Sequence, residues 1–343
     1  MNGCSVRLSK SEGRDKYEMA RFVQRFEMDT LDVKILRALL SERSVSPSSR
    51  QVASSLRSIA SRLGADDVTV HLRYRKLRES GVLSGWRLAV NPTLFGCQSL
   101  DVTVDVDPES AKPDMIRKLS LINEVVGIWD FYGRGLKVVA WYSSDEARSR
   151  VVELISRITN AESMVQFRWS LPPSRTPRLT ATDVAIIRAL SNDARKPLAQ
   201  VASGLGLSTR TVRNRLEKLR QENTIHATPS LDMGGIPGLI PVHLFYAYSG
   251  GEPKSVVDSR ILSHFETKYL SVMFSDPERG YIWLVASTMN EVRVCLEWAK
   301  SQPGVANARA DILVRWLTFP GKLLELLGLR NVAGPLGKRP ARN

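Results

Sequence analysis

The chain repeats itself, and the repeat constrains its architecture more than any other feature. "DVKILRAL" at 32–39 returns as "DVAIIRAL" at 183–190, identical at six of eight positions and offset by 151. "IASRLG" at Ile59 returns as "VASGLG" at Val201, and "TVHLRYRKLR" at Thr69 returns as "TVRNRLEKLR" at Thr211, both offset by 142. The order is kept, so one unit has been written twice. The two offsets differ by nine residues (151 − 142), which places an insertion in the "SERSVSPSSRQVASSLRS" stretch of copy one, where a surface loop tolerates it.

Each repeated block reads as three helices. Ile35, Leu36, Leu39 and Leu40 recur at the spacings of a helical core stripe, as do Ile186, Ile187 and Leu190. A short second helix ends at "LG", a small turn follows, and Ser208 stands in an N-cap position before a basic helix. Helix, tight glycine-containing turn, basic helix is the helix-turn-helix arrangement. The extended pieces "GWRLAV" and "IHATPSL" are expected to give each head a β wing.

Behind each block lies a second pattern. Copy one runs "SLDVTVDV", "PDMIRKLSLI", "VVGIWDFYG", "LKVVAWYS", "DEARSRVVELISRI" and "SMVQFRWSL"; copy two runs "IPVHLFYAY", "VVDSRILSHF", "YLSVMF", "YIWLVAS", "MNEVRVCLEWAKS" and "ARADILVRWL". Both follow the βαββαβ order of a ferredoxin-like layout. The proline-rich "LPPSRTPR" at 171–178 reads as an extended linker between the units. The apolar strand faces need covering, so the two sheets are expected to pack on each other as an intramolecular pseudo-dimer. The C-terminal "KLLELLGL" stripe either packs back on its own domain or recruits a second chain into a homo-oligomer.

The basic helix carries the chemistry. At about 100° per residue, Val212, Leu216 and Leu219 share one face and pin the helix to its core, while Arg210, Asn214, Glu217 and Gln221 point the other way. Arg213 and Lys218 flank that outer face, within reach of phosphates on either side of a groove; Arg210 suits guanine and Asn214 suits adenine, each by two hydrogen bonds in the major groove. The helix start, with Ser208, Thr209 and Thr211 and its free backbone N–H groups, favours a phosphate. A merely solvated face usually interleaves carboxylates with its cations, and this run sets only Glu217 and Glu222 against five cations. Arg215 sits near the core edge and is expected to bridge to the first helix. Copy one differs at these positions: Asp66 and Asp67 replace Ser208 and Thr209, and Val68 and Leu72 replace Arg210 and Asn214. That head keeps Arg73, Arg75, Lys76 and Arg78 for backbone contact, and its apolar face suits thymine methyls or a protein partner.

Charge and length agree with this reading. A chain of 343 residues exceeds one usual core, and a net charge of +14 with pI near 9.9 favours an acidic partner. Double-stranded DNA is preferred over a membrane surface, because no Trp-anchored amphipathic basic helix is visible. Cys4, Cys97 and Cys295 fit neither a disulfide framework nor a zinc pattern, so no metal and no cofactor are expected. The start lacks an apolar signal-peptide core and no run is long enough to span a bilayer, so the expected location is cytoplasmic.

A block of the form "DVAIIRALSNDARKPLAQVASGLGLSTRTVRNRLEKLRQENTI" followed by a βαββαβ segment resembles the leucine-responsive regulator (Lrp/AsnC) family of prokaryotic transcription factors, here in tandem. Copy one resembles it best at "KLRESGVLSGWRLAVNPTLFG". The resemblance implies an α+β chain in which two winged helix-turn-helix domains (28–92 and 180–233) alternate with two ferredoxin-like domains (93–172 and 234–320). A basic leader (1–27), a linker (173–179) and a C-terminal helix with basic tail (321–343) complete it. It further implies a sequence-specific transcriptional regulator reading DNA mainly with helix 208–221, and in many members an amino-acid effector. The family's Gly-x-x-Asp-like element is absent: copy one has "YGRGLK", with Gly133 but no following aspartate, and copy two has "SDPERGY".

Some proteins resembling this family are tetrapyrrole decarboxylases built from two such units, which need histidine and arginine at a cavity. His71, His226, His243 and His264 each read as an ordinary surface or core-edge histidine, and no phosphate loop, nucleophile elbow or metal spacing is present, so the expectation is that the chain is not an enzyme. A non-specific architectural DNA binder is the other alternative, supported by the basic leader and the "GKRPARN" tail. If DNA is the partner, neutralising about 4–8 phosphates makes log K fall against log salt with a slope of several units. A flat salt titration of DNA affinity excludes nucleic acid as the main partner.

Overall fold

The computed structural model describes residues 26–41, 56–169, 172–273 and 276–319. The basic leader up to residue 25, the inserted stretch 42–55 and the C-terminal stripe and tail from 320 onward lie outside the described residues. Copy one comprises α1 (Thr30–Ser41), α2 (Leu56–Leu63), α3 (Asp67–Glu79), β1 (Leu83–Val90), β2 (Gln98–Asp105), α4 (Lys112–Leu119), β3 (Val125–Phe131), β4 (Gly135–Tyr142), α5 (Asp145–Thr159) and β5 (Met164–Trp169). Copy two repeats that order with α6 (Ala181–Leu190), α7 (Leu198–Leu205), α8 (Thr209–Gln221), β6 (Ile225–Leu231), β7 (Ile240–Tyr248), α9 (Lys254–His264), β8 (Tyr269–Met273), β9 (Arg279–Ala286), α10 (Met289–Lys300) and β10 (Val305–Thr318).

The strands expected to be separate wings do something different. β1 and β6 pair with each other, antiparallel, as a two-stranded ribbon shared by both heads. The reason is that each head supplies one strand, and a lone strand leaves its N–H and C=O groups unpaired until the second copy's strand satisfies them. The register carries a local two-fold axis. Trp86 faces Pro229 and Arg87 faces Thr228, and shifting either pair by 142 residues exchanges it with the other. Loops brace the ribbon from both sides: Leu88 N–H donates to Ser191 O (3.4 Å), Ala194 N–H to Trp86 O (3.2 Å) and Asn91 N–H to Thr224 O (2.8 Å). Arg195 of copy two stacks on the Trp86 ring at 4.1 Å, and the Trp86 indole N–H donates to Tyr74 of α3 at 3.1 Å.

Residues 172–180 form neither helix nor strand, and they are stitched down. Asn91 and Asn223 donate to Pro172 O at 2.8 and 2.7 Å, Arg175 N–H donates to Glu222 O at 2.7 Å, and the buried Thr176 hydroxyl bonds to Glu222 and Thr224. Both heads are thereby tied to the peptide that joins them.

The remaining strands form one eight-stranded sheet, ordered β5-β2-β4-β3-β10-β7-β9-β8. Helices α4 and α5 cover the outer face of one half and α9 and α10 that of the other, each over its own apolar cluster. The halves join edge to edge, because β10 runs for 14 residues and pairs with β7 along its first part and with β3 along its last. The symmetric join of β5 to β8 is missing, since those strands are the two ends of the sheet. Matching Val104–Met164 with Tyr246–Ala308 sets an offset of 144 between β5 and β10, so Pro172 and Pro173 stand where β10 has Trp316 and Leu317, which pair with Trp129 and Ile128. Proline has no N–H to donate, and β5 ends short of the join. Head one covers the β8 end instead: Arg37 of α1 donates to Tyr269 O at 3.0 Å and stacks on its ring.

Aromatic side chains of the two halves also meet across the sheet faces. Phe167 of β5 approaches Phe245 of β7, and Trp129 of β3 lies 4.7 Å from His243 and 6.2 Å from Trp283. This interior is not simply apolar. Copy one contributes the buried pair Lys137–Asp101 (3.3 Å), with the Lys137 ammonium 3.4 Å from the Trp129 ring centroid. Copy two contributes His243, fully buried, with Nδ1 at 2.6 Å from the Tyr281 hydroxyl. Among the described residues, His243 Nε2, the indole N–H groups of Trp129 and Trp283 and the Thr103 hydroxyl find no hydrogen-bond partner.

Burial, and then the Lys137 charge, hold the His243 imidazole well below its ordinary pKa, so the folded protein keeps it neutral. The unfolded chain titrates near pH 6.5 and takes up the proton first. Stability is therefore complete above that pH and declines as pH falls, by at most about 1.4 kcal/mol per pH unit from this group. His243→Leu flattens this part of the profile, which denaturant midpoints between pH 7 and pH 5 measure; equal slopes in both proteins show that His243 titrates normally.

Candidate nucleic-acid interface

The second head builds α8 as the spacing foretold. Ser208 caps α8, accepting the Thr211 N–H at 3.0 Å, and Val212, Leu216 and Leu219 are buried against the head's core. Arg210, Arg213, Asn214 and Lys218 are exposed, Thr209 and Thr211 half-buried, and Ser208 exposed at the helix start. Among the described residues Arg210, Arg213 and Asn214 make no ion pair, while Lys218 reaches Glu222 only at 3.9 Å. Glu217 takes the inner cation: Arg220 is buried and donates to it at 2.8 Å, and that hydrogen bond is the first cause that lowers the Glu217 carboxyl. The outward carboxylate is thus neutralised within its own helix.

Arg215 bridges to the first helix. It lies 3.6 Å from Asp183, a buried carboxylate that also closes a capping box with Thr180 at the start of α6. Copy one repeats the device, with Arg73 at 3.5 Å and Lys76 at 3.2 Å from the fully buried Asp32 and Arg73 at 2.7 Å from Asp29. Lys76 further donates to Glu27 O at 2.7 Å and sits over the Phe26 ring. Two of the four cations expected to touch DNA backbone from head one, Arg73 and Lys76, are therefore engaged within their own head. The cause is the desolvated Asp32, whose charge needs partners before a phosphate can compete. Arg75, 3.8 Å from Glu79, and Arg78 remain exposed.

The outer face of α3 is apolar where that of α8 is polar. Val68 is 67% exposed and Leu72 50%. Asp66 caps the helix, accepting the Thr69 N–H at 2.9 Å, and Asp67 pairs with His71 at 3.1 Å. The sequence had marked both heads by their cations; it gave no sign that the Lys137–Asp101 pair of copy one and His243 of copy two lie close in the interior, because that approach is made only across the two halves.

A cleft of about 250 Å³ opens at the β3–β10 join, lined among others by Glu109, Lys112, Tyr132 and Arg315. Its cations are engaged, since Lys112 is 2.8 Å and Arg315 2.7 Å from Asp130.

Comparison with known proteins agrees with the second head. Residues 179–220 match the model of the AsnC-type helix-turn-helix domain, a DNA-binding module. The HTH-type transcriptional regulator Ptr1 of Methanocaldococcus jannaschii is 26% identical over 106 residues, which are 31% of this chain and 66% of that relative. Among solved structures, the siroheme decarboxylase NirDL matches 88% of this chain and 98% of its own at a TM-score of 0.50 and 11% identity. AsnC of E. coli matches 43% of this chain and 95% of its own at 21% identity and a TM-score of 0.29. The NirDL likeness corrects the expectation that the chain is not an enzyme: an enzyme shares its fold across almost the whole length, so enzymatic function is not excluded.

The buried carboxylates give a direct test of how the heads are held. Removing Asp183 opens the capping box closed on Thr180 and strands Arg215, so Asp183→Ala is expected to lower stability by about 1–2 kcal/mol, with Asp32→Ala at least as costly because Arg73 and Lys76 both lose a buried partner. Denaturant midpoints of the two variants measure this, and unchanged midpoints refute the role given to these pairs.

Proposed function

We propose that this chain, whose second head is an AsnC-type helix-turn-helix domain, is a sequence-specific DNA-binding transcriptional regulator of two-headed form. In this reading two helix-turn-helix heads, 28–92 and 180–233, alternate with two ferredoxin-like domains, 93–172 and 234–320, joined by the linker 173–179. The observation that carries it is the outer face of α8: Arg210, Arg213 and Asn214 stand exposed and uncommitted on a helix whose opposite face is locked into the core. Arg210 and Asn214 have the geometry for base edges, and Arg213, Lys218 and the capped helix start for phosphates.

A second reading, decarboxylation of a tetrapyrrole, draws its support from the whole-length fold likeness to siroheme decarboxylase NirDL. That protein has also been solved in complex with an iron-uroporphyrin III analogue. Here His243 of copy two is buried beside Trp129 and close enough to feel the charge of Lys137, both of copy one. Titrating the protein with an iron uroporphyrin separates the readings: a saturable shift of the porphyrin absorbance favours the enzyme, and no shift removes it.

For the regulator, Arg210→Ala or Asn214→Ala costs about 1–3 kcal/mol of binding to a sequence selected from random DNA. Arg213→Ala weakens binding to all duplexes by similar factors and lowers the salt slope by about one. Retained site preference in both Arg210→Ala and Asn214→Ala rules out α8 as the reading helix.

A further inference from the structure

The ribbon's two-fold axis has a consequence for the DNA site. The shift of 142 residues that exchanges the β1 and β6 pairs also carries α3 onto α8, position for position, Val68 onto Arg210 and Leu72 onto Asn214. Each reading helix packs on its own ribbon strand, α3 on β1 and α8 on β6. Reading helices related by such an axis meet two half-sites of one duplex, one helical turn or a multiple of it apart. What α3 offers there is chemically different: two exposed aliphatic side chains one helical turn apart, flanked by Arg75 and by Arg78.

Resting on the reading of the chain as a DNA-binding regulator, we infer that it recognises a composite, non-palindromic site, with a polar half under α8 and a thymine-rich half under α3. Val68 and Leu72 pack there against thymine C5-methyl groups. The thymine methyl is the one apolar feature of the major-groove edge, and aliphatic side chains that can neither donate nor accept select it. The acidic start of α3 fits the same arrangement. Asp66 is occupied in capping and Asp67 in its pair with His71, so phosphate contact falls to Arg75 and Arg78 toward the other end of the helix. A protein partner on this face is the competing occupant; the two-fold relation of α3 to α8 favours DNA, because it is the relation of helices that read two half-sites of one duplex.

The experiment uses the full chain and a duplex selected from random DNA. Thymines in each half are replaced by deoxyuridine, which removes only the methyl. In the α3 half this replacement is expected to lower affinity about fourfold for each methyl that is buried, and in the α8 half to change it little. Leu72→Ala, a substitution at an exposed position, lowers the sensitivity to deoxyuridine while leaving the preference in the α8 half intact. A palindromic selected site, an affinity indifferent to deoxyuridine, or equal deoxyuridine sensitivity in Leu72→Ala overturns the inference and leaves the regulator standing. Failure to select any sequence, with Arg210→Ala binding like the parent chain, overturns the regulator itself.

Discussion

Strand pairing between the two copies is the interaction on which everything else in this protein depends. Backbone hydrogen bonds are directional and fix register, so the β1–β6 ribbon sets one head against the other and the β3–β10 join sets one half-sheet against the other. Side chains lock these joins rather than create them. Arg87 shows how: half-buried on the ribbon near its axis, it donates to Thr318 at 2.7 Å and lies 5.7 Å from the Trp316 ring centroid, tying ribbon to sheet. Its burial lowers the guanidinium pKa from the ordinary value.

Duplication supplied a symmetric plan, and single residues broke it. Pro172 and Pro173 stop β5 where Trp316 and Leu317 carry β10 onward, so one join forms and its mirror image does not. The interior is divided in the same manner, with Lys137 and Asp101 from copy one facing His243 and Tyr281 from copy two. A buried charge pair and a neutral imidazole can coexist closely only if one side stays uncharged, and two identical copies could not meet that condition. The heads diverged too, α8 keeping a polar outer face while α3 became aliphatic. Each break of symmetry gives a distinct role to one copy, which a homodimer of identical chains cannot do.

The whole-chain likeness and the local match point to different activities. Siroheme decarboxylase NirDL shares this fold along most of both chains at 11% identity, while the AsnC-type match is confined to residues 179–220. Fold therefore says little about activity here, and the argument must come from sites. The exposed face of α8 is a surface suited to a long anionic ligand. The interior holding His243 is enclosed and aromatic, a setting for stability and pH response whatever else it does.

The sequence by itself determined the elements and their order. Apolar spacing placed all six helices of the two heads, because helix period and capping are local: Ser208 and Asp66 cap α8 and α3 through backbone N–H groups three residues away. The βαββαβ order was equally legible, and so was the salt bridge from Arg215 to the first helix. What only the tertiary structure decided were pairings between residues far apart in the chain. The expected wings became one ribbon, because edge backbone groups satisfy whichever strand lies beside them. Arg73 and Lys76 turned inward, because Asp32 is desolvated there and sequence periodicity does not report desolvation. His243 looked like a core-edge histidine beside apolar neighbours in its strand; only the meeting of the two halves brought Lys137, Trp129 and Tyr281 around it, since the contact is made across a join that no local pattern encodes.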